Sequence, residues 1–455
     1  MKKIIVLFLI FFNMVLVSFG AKKPVQKEEF NYDFFKNFND EILIENIARA
    51  IGNNLDLKIA LSKVKESERI VKMSLANELP TIDFEPLISK TFSSGELRRG
   101  ANNYMIRSYN QSRFLMPVYV NYEVDIFAKN RLKTKSKQES LKMVEQDRKM
   151  TYILLASSLG VEYFNLIRTD ELLKYENELL ALNKELENLA TNKEKYGLLS
   201  EYDVLNAKER TINNQNRINE LNNRKEILVN QIGYLMGDKL FSDVKRSEYN
   251  TSTYSLKTPD SFNSSIILNR PDVISATENV KRAQYDARVA KRELLPSFNV
   301  YGTFGFNGYA NFKGITKNHT GIAEIGVNPT FNVFDGGKKW QMIKLKKQEL
   351  ERANYEYEKT VIAALQETND TLAVLKTSDK NYSLSKDILA IQNTKLKLKE
   401  NNKNDGLASN VDYIFYKQNE IIASINALNN DIDRIIASIN LYRALGGYDY
   451  AKENL

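Results

Sequence analysis

The chain has 455 residues, 43% of them hydrophobic and 27% charged, with a formal net charge of +8, no cysteine and a single histidine, His319. Such a composition buries a core and excludes a disordered polymer. Without cysteine there are no disulfides, no thiolate catalysis, no cysteine-ligated zinc and no lipidated N-terminal cysteine. The positive excess is diffuse, with no basic run of the kind nucleic acids favour, and one histidine leaves little acid–base or metal chemistry. No catalytic, cofactor-binding or metal-ligating residues are therefore expected.

Residues 1–20 read as a signal peptide: Lys2 and Lys3 precede an apolar stretch, and Ser18-Phe19-Gly20 supplies a small-x-small cleavage site. Residues 21–38 form an N-terminal extension. Beyond them the chain repeats itself. Laying 54–80 over 270–296 without gaps matches Asp56/Asp272, Ala60/Ala276, Val64/Val280, Lys65/Lys281, Leu79/Leu295 and Pro80/Pro296. Two turns, "YGLLSEYD" at 196–203 and "DGLASNVD" at 405–412, share Gly-Leu-x-Ser-x-x-Asp 209 positions apart. The chain divides into a first copy, 39–237, a linker, 238–262, a second copy, 263–447, and a tail, 448–455.

In the first copy a helix running to Pro80 is followed by strand patterns. Ile82, Phe84, Ile88 and Phe92 fall on one face with Asp83, Glu85 and Ser89 on the other, and the even residues from Phe114 to Ile126 alternate with Asn121, Glu123 and Asp125. The second copy repeats the scheme with Phe298, Val300, Phe304 and Phe306, then with Ile325, Val327, Phe331 and Val333. Glycines 302, 305 and 308 have no strand-to-helix context and read as strand glycines, not a nucleotide loop. Long helices follow each strand pair. No proline interrupts 131–196, and neither proline nor glycine interrupts 338–405. Leu172, Tyr175, Leu179, Leu182, Leu186 and Leu189 step by three and four, a coiled-coil seam that Ile218, Leu221, Leu228 and Leu235 continue on the return.

Each Gly-Leu-x-Ser turn sits where a helix of some 65 residues reverses into one of about 40. Glycine permits the left-handed residue that closes a helix. Ser200 or Ser409 caps the next helix, with Asp203 or Asp412 three residues on. Two hairpins then point one way and the strands the other. Four strands with one apolar face cannot close a pore alone, since a membrane barrel takes at least about eight and tolerates no open edge in lipid. Three chains supply 12.

These stretches resemble the outer-membrane factor family, the TolC-like exit ducts of efflux pumps and type I secretion systems. The resemblance is carried by "NRPDVISATENVKRAQYDARVAKRELLPSFNVYGTFGF", "FNVFDGGKKWQMIKLKKQELERANYEYEKTVIAALQETNDTLAVL", "LYRALGG", "YEVDIFAKNRLK" and the paired turns. It implies a mainly α fold with a membrane β-barrel: a homotrimer whose 12-strand barrel in the outer membrane continues as an α-helical barrel through the periplasm, with 238–262 and the residues after Gly447 in an equatorial collar. It also implies a periplasmic adaptor that docks on the hairpin tips and links the duct to an inner-membrane transporter, the cargo being drugs, small molecules or proteins. Gly197, Leu198, Ser200, Gly406, Leu407 and Ser409 are then the docking residues, and Asp412 with Phe415 one turn deeper the periplasmic gate. The chain departs from some members at Phe415, where they carry a second aspartate, and at Ala408, where they carry arginine. With no lipidated cysteine, anchoring rests on the barrel. The alternatives are a trimeric coiled-coil surface protein or adhesin, which leaves the duplicated strands unexplained, and a secreted hydrolase, which lacks its chemistry.

Overall fold

A computed structural model describes residues 33–93, 96–97, 105–106, 108–238, 243–249, 258–309 and 320–451. The signal peptide, His319 and residues 239–242 and 250–257 of the linker lie outside them. In chain order the helices are α1 (Asp33–Lys36), α2 (Glu41–Asn53), α3 (Leu55–Ala76), α4 (Lys129–Lys195), α5 (Glu201–Leu235), α6 (Pro271–Arg292), α7 (Lys338–Asn404) and α8 (Asn410–Ala444). The strands are β1 (Thr81–Phe84), β2 (Leu87–Ser93), the two-residue β3 (Glu96–Leu97) and β4 (Met105–Ile106), β5 (Tyr109–Val124), β6 (Ser297–Tyr309) and β7 (Thr320–Thr330).

The duplication is exact in length for the long hairpins. α4 and α7 are 67 residues each, α5 and α8 are 35 each, and α3 and α6 are 22 each. The returning helices are thus shorter than the 40 residues the sequence implied, because each ends where a second helix takes over. α3 abuts the end of α5, and α6 abuts the end of α8. At the first junction Asn54 accepts the Leu57 N–H at 3.0 Å as N-cap while its own amide donates to the Leu235 carbonyl at 2.9 Å. At the second, the buried Arg270 donates to the Ala444 carbonyl. The wall is therefore four helices wide along its length. Near the sheet α3, α4, α6 and α7 pack in that order; farther away α5, α4, α8 and α7 do.

The core lies at the middle of this wall. Phe34 packs edge-on to Phe35 and to Phe38 and stacks on Tyr442 at 4.4 Å, and Leu159, Phe164, Ile232, Ile432, Ile439 and Tyr450 close round them. Residues 33–38, to which the sequence assigned no packing role, are the plug of this core. α4 runs unbroken through Gly160, where an added Cβ would meet the Phe35 ring at 3.0 Å and Ile439 at 3.2 Å; the glycine is a packing requirement. The same stretch of α4 is apolar enough to span a bilayer, yet 61% of it is buried among neighbouring helices. Linker and tail dock here too. Tyr163 donates to Asp40 at 2.9 Å, Ser247 donates to both, and Asn37 donates to Asp449 at 3.3 Å. Burial pushes the Tyr163 phenol far above its ordinary pKa, so the hydroxyl stays a donor.

The large sheet is antiparallel throughout, in the order β1/β2, β5, β6, β7. β1 and β2 pair with β5 in one register on either side of Glu85 and Pro86, and serve as a single strand interrupted where proline has no N–H to give. β5 stops at Val124 and β7 at Thr330. Ile126, Phe331 and Val333, assigned to strands by their alternation, lie instead in the turns into α4 and α7, because Asp125 and Asp335 draw the chain round. Asp125 accepts the Asn130 and Arg131 N–H groups at 3.0 and 2.9 Å, and Asp335 accepts those of Gly337 and Lys339, both at 3.0 Å.

Candidate functional site

Register fixes which residues share a face of the sheet. Ile82, Val120, Gly302 and Ile325 form one cross-strand row; Phe84, Val118, Phe304 and Ala323 form the next; Tyr122, Val300 and Val327 a third. Through these rows the face is apolar across all strands and open, Ile325 being 75% exposed, and only toward the far end do Lys90, Ser112 and Asn110 join it. Water-facing strands would not spend an entire face this way, and the spacing is that of a lipid-facing barrel wall. The opposite face carries Asp83, Tyr119, Thr303 and Glu324 in one row and Glu123, Asn299 and Asn328 in another. Tyr301 donates to Glu324 at 3.1 Å on this polar side. Gly305, opposite Pro117, is there for space: a Cβ would sit 2.2 Å from the Met116 carbonyl oxygen. Both outer edges, β1/β2 and β7, are unpaired among the described residues.

The hairpin tips are at the far end of the wall. Gly197 and Gly406 adopt φ of +70° and +74°. Leu198 N–H donates to the Lys193 carbonyl at 2.9 Å and Leu407 N–H to that of Asn402 at 2.7 Å, so both outgoing helices end in the same glycine-closed motif. Both returning helices then start in a full capping box. Ser200 N–H donates to the Asp203 carboxylate at 3.1 Å while Asp203 N–H donates to the Ser200 hydroxyl at 3.3 Å; the Ser409 and Asp412 distances are 3.2 and 3.1 Å. The serine hydroxyl, and secondarily its N–H, hold both aspartates below the ordinary carboxylate pKa. While the capping bonds are made within the turn, its leucines are left to solvent: Leu198 is 71% and Leu407 79% exposed. Asn410 donates to Glu185 at 2.7 Å, so the hairpins lie side by side and point the same way. Phe415 is exposed one turn beyond Asp412, edge-on to Tyr416 at 5.7 Å.

Thus the predicted docking residues fall into two like tips, and the gate pair lies on α8 just inside the second. In the sequence "NRPD" and "LYRALGG" are separate signals; the fold joins them. Gly446, at φ +67°, lies so close to Arg270 that a Cβ would come within 2.8 Å of its side chain. Arg270 also holds Asp272 at 2.8 Å and Glu367 at 2.9 Å. The first copy repeats the contact with Gly237 against the Asn53 carbonyl. The duplication carries the signal: Asn54 aligns with Arg270 at the offset of the 54–80 repeat, and Gly237 with Gly446 at that of the paired turns.

A family model described as outer membrane efflux protein matches residues 263–447. Over 415 residues the chain is 24% identical to the solvent efflux pump outer membrane protein SrpC of Pseudomonas putida, a match covering 90% of this chain and 86% of that protein. Among solved structures, the CmeC outer membrane channel of Campylobacter jejuni superposes with a TM-score of 0.81 at 22% identity, over 95% of this chain and 93% of the other. The MtrE outer membrane channel of Neisseria gonorrhoeae, in its open state, gives 0.77 at 20% identity, over 90% and 89% of the two chains. At such identities the superpositions speak for the fold.

Proposed function

We propose that this chain, which belongs to the outer membrane efflux protein family, works as the trimeric outer-membrane exit duct of an efflux pump. The observation that carries the reading is the sheet: four strand positions with a face apolar from the helix end as far as Ile88 and Phe114, and two edges unpaired among the described residues, set on top of parallel-pointing helical hairpins. Edges cannot stay open in lipid. Pairing the β7 edge of one copy with the β1/β2 edge of the next, three times round, closes a barrel of 12 strands with its polar face inward. The helical wall closes in the same step. Its outer flanks carry unpartnered apolar residues, Tyr202, Leu205 and Ile212 on α5 and Leu384, Ile391 and Leu398 on α7, and these heptad-spaced rows meet when copies are placed side by side. The membrane segment sits in the outer membrane and the helical tube in the periplasm. It is no enzyme: the lumen offers a path, and cargo is selected by the transporter that feeds it.

The tips are the docking surface for a periplasmic adaptor, through which an inner-membrane transporter delivers its cargo. Gly197, Leu198 and Ser200 of one hairpin and Gly406, Leu407 and Ser409 of the other present one small apolar patch six times round the ring. Asp412 and Phe415 line the closure nearest the axis. The double variant Leu198→Asp/Leu407→Asp tests the docking role. Trimers should form in the usual amount while drug resistance, or secretion where that is the cargo, falls to the level of a deletion strain. Normal transport with both substitutions in place would show that the tips merely turn the chain. The surface-fibre reading lacks support of equal weight, since a fibre has no need of a lipid-facing sheet.

A further inference from the structure

The layer where strands meet helices is chemically unlike the rest of the molecule. Both 67-residue helices begin there, and neither has an acidic residue in its first turn, whereas α2, α3, α5, α6 and α8 each do. Positions 129–137 hold five cations and no acid, and 338–347 hold five more and no acid. The sequence read as diffusely basic; folded, these runs gather at one level with Arg288, Lys291 and Arg292 from the end of α6. Cations at a helix N-terminus oppose the helix dipole, so the helices themselves do not account for the arrangement.

Apart from Glu78, the acids beside these cations are already engaged. Glu123 is held by Lys129 at 2.5 Å, and Asp125 and Asp335 take up the first N–H groups of α4 and α7. Glu293 has Lys133 at 3.8 Å. Arg292, Lys338, Lys344 and Lys347 make no ion pair among the described residues. Beside them stands an exposed apolar rim: Val333 and Phe334, each 86% exposed, and Trp340, the chain's one tryptophan, at 61%. Trp340, Lys344 and Lys347 are spaced four and three apart, on one face of α7, and all three are exposed. Aromatic side chains with cations just outside the apolar band are what a membrane–water interface selects, and a basic segment at that depth attracts an anionic leaflet.

We propose that this collar, Phe334 and Trp340 with Arg292, Lys338, Lys344 and Lys347, binds the phosphate headgroups of anionic phospholipids in the periplasmic leaflet. The occupant follows from charge and depth. It must be anionic to meet unpaired lysines and membrane-embedded to meet Phe334 and Trp340 at once. The collar supplies at the membrane boundary an anchor that a chain without cysteine cannot take from lipidation.

The single tryptophan makes the test direct, and the inference rests on the duct reading. Full-length trimer is reconstituted in phosphatidylcholine vesicles containing either brominated phosphatidylglycerol or brominated phosphatidylcholine at equal mole fraction, and Trp340 fluorescence is read alongside channel conductance. Brominated phosphatidylglycerol should quench as though enriched about fivefold at the collar, the factor one basic residue near an anionic surface supplies. Lys344→Gln/Lys347→Gln should bring the two lipids toward equality with conductance kept. Equal quenching in the unsubstituted protein, an unchanged preference in the variant, or quenching by neither lipid in conducting trimers would each overturn the proposal. Stronger preference for lipid A than for phosphatidylglycerol would move the collar to the other leaflet and overturn it as well. Failure of the unsubstituted trimer to insert would instead refute the duct reading, and the collar with it.

Discussion

Phe304 lies on the apolar face of β6, opposite Val118 and Ala323, with its ring packed over Gly302. The outward residues of β6 run from Phe298 to Phe306, so the band centres on Gly302. Two residues at about 3.3 Å each, in a strand tilted by about 40°, put Phe304 only about 5 Å from the midplane. Arginine there should cost about 2–4 kcal/mol per chain, or about 6–12 kcal/mol per trimer, enough to rival the whole stability of an ordinary domain. Thr303, one residue earlier, lies on the polar face between Tyr119 and Glu324, which is the lumenal face of the proposed barrel. Thr303→Arg therefore gains a carboxylate across the strand and stays in water. The assay is the fraction of heat-sensitive trimer in isolated outer membranes, resolved on semi-native gels with and without boiling. Phe304→Arg should reduce that fraction severely and Thr303→Arg should leave it near the unsubstituted value. Equal assembly of the two variants would refute the register, the barrel, or both.

Three further outcomes are expected. In planar bilayers Asp412→Asn should weaken cation selectivity and block by divalent or trivalent cations, while Phe415→Ala should raise conductance with selectivity kept; unchanged selectivity in Asp412→Asn would leave the residue a helix cap. Gly446→Ala should lower thermal stability more than Gly406→Ala. Both carry the penalty of about 1–2 kcal/mol for a side chain at positive φ, but only residue 446 would also be driven into Arg270; equal losses in thermal denaturation of the trimers would contradict the packing. The capping boxes should respond to acid only. Because the folded pKa values of Asp203 and Asp412 are depressed, their stabilisation is present above the ordinary aspartate value of 3.8 and disappears as pH falls through the lower folded value. Amide exchange at the two tips, corrected for intrinsic rates, measures it. Asp203 is the internal reference: if three Asp412 carboxylates meet on the axis, their mutual repulsion raises that tip's folded pKa and is relieved by protonation, so acid should loosen that tip less than the other, and identical profiles would count against the ring.

Local chemistry makes the hairpin tips legible in the amino-acid order. Glycine before a Leu-x-Ser-x-x-Asp run specifies a left-handed helix end followed by a capping box, and every bond involved spans five residues or fewer. The strands are legible for a similar reason, since period-two alternation declares a two-sided wall and nothing beyond the strand itself is needed to see it. Where the alternation runs on past Val124 and Thr330, the turns win because Asp125 and Asp335 bind backbone groups two to six residues further on. That competition leaves no trace in hydrophobic pattern.

The amino-acid order alone specifies the set of pieces: two equal hairpins, two strand pairs of one apolar face each, and too few strands to close a barrel. How the pieces join is settled only in three dimensions. Asn54 and Arg270 weld short helices end to end onto α5 and α8 through contacts spanning 181 and 174 residues, and Phe34 and Phe35 fill a core built mostly from residues more than a hundred positions away. The collar of lysines at the strand–helix boundary likewise exists only once separate chain segments are brought to one level. Such contacts depend on shape and position between distant segments, and neighbouring residues carry no record of them.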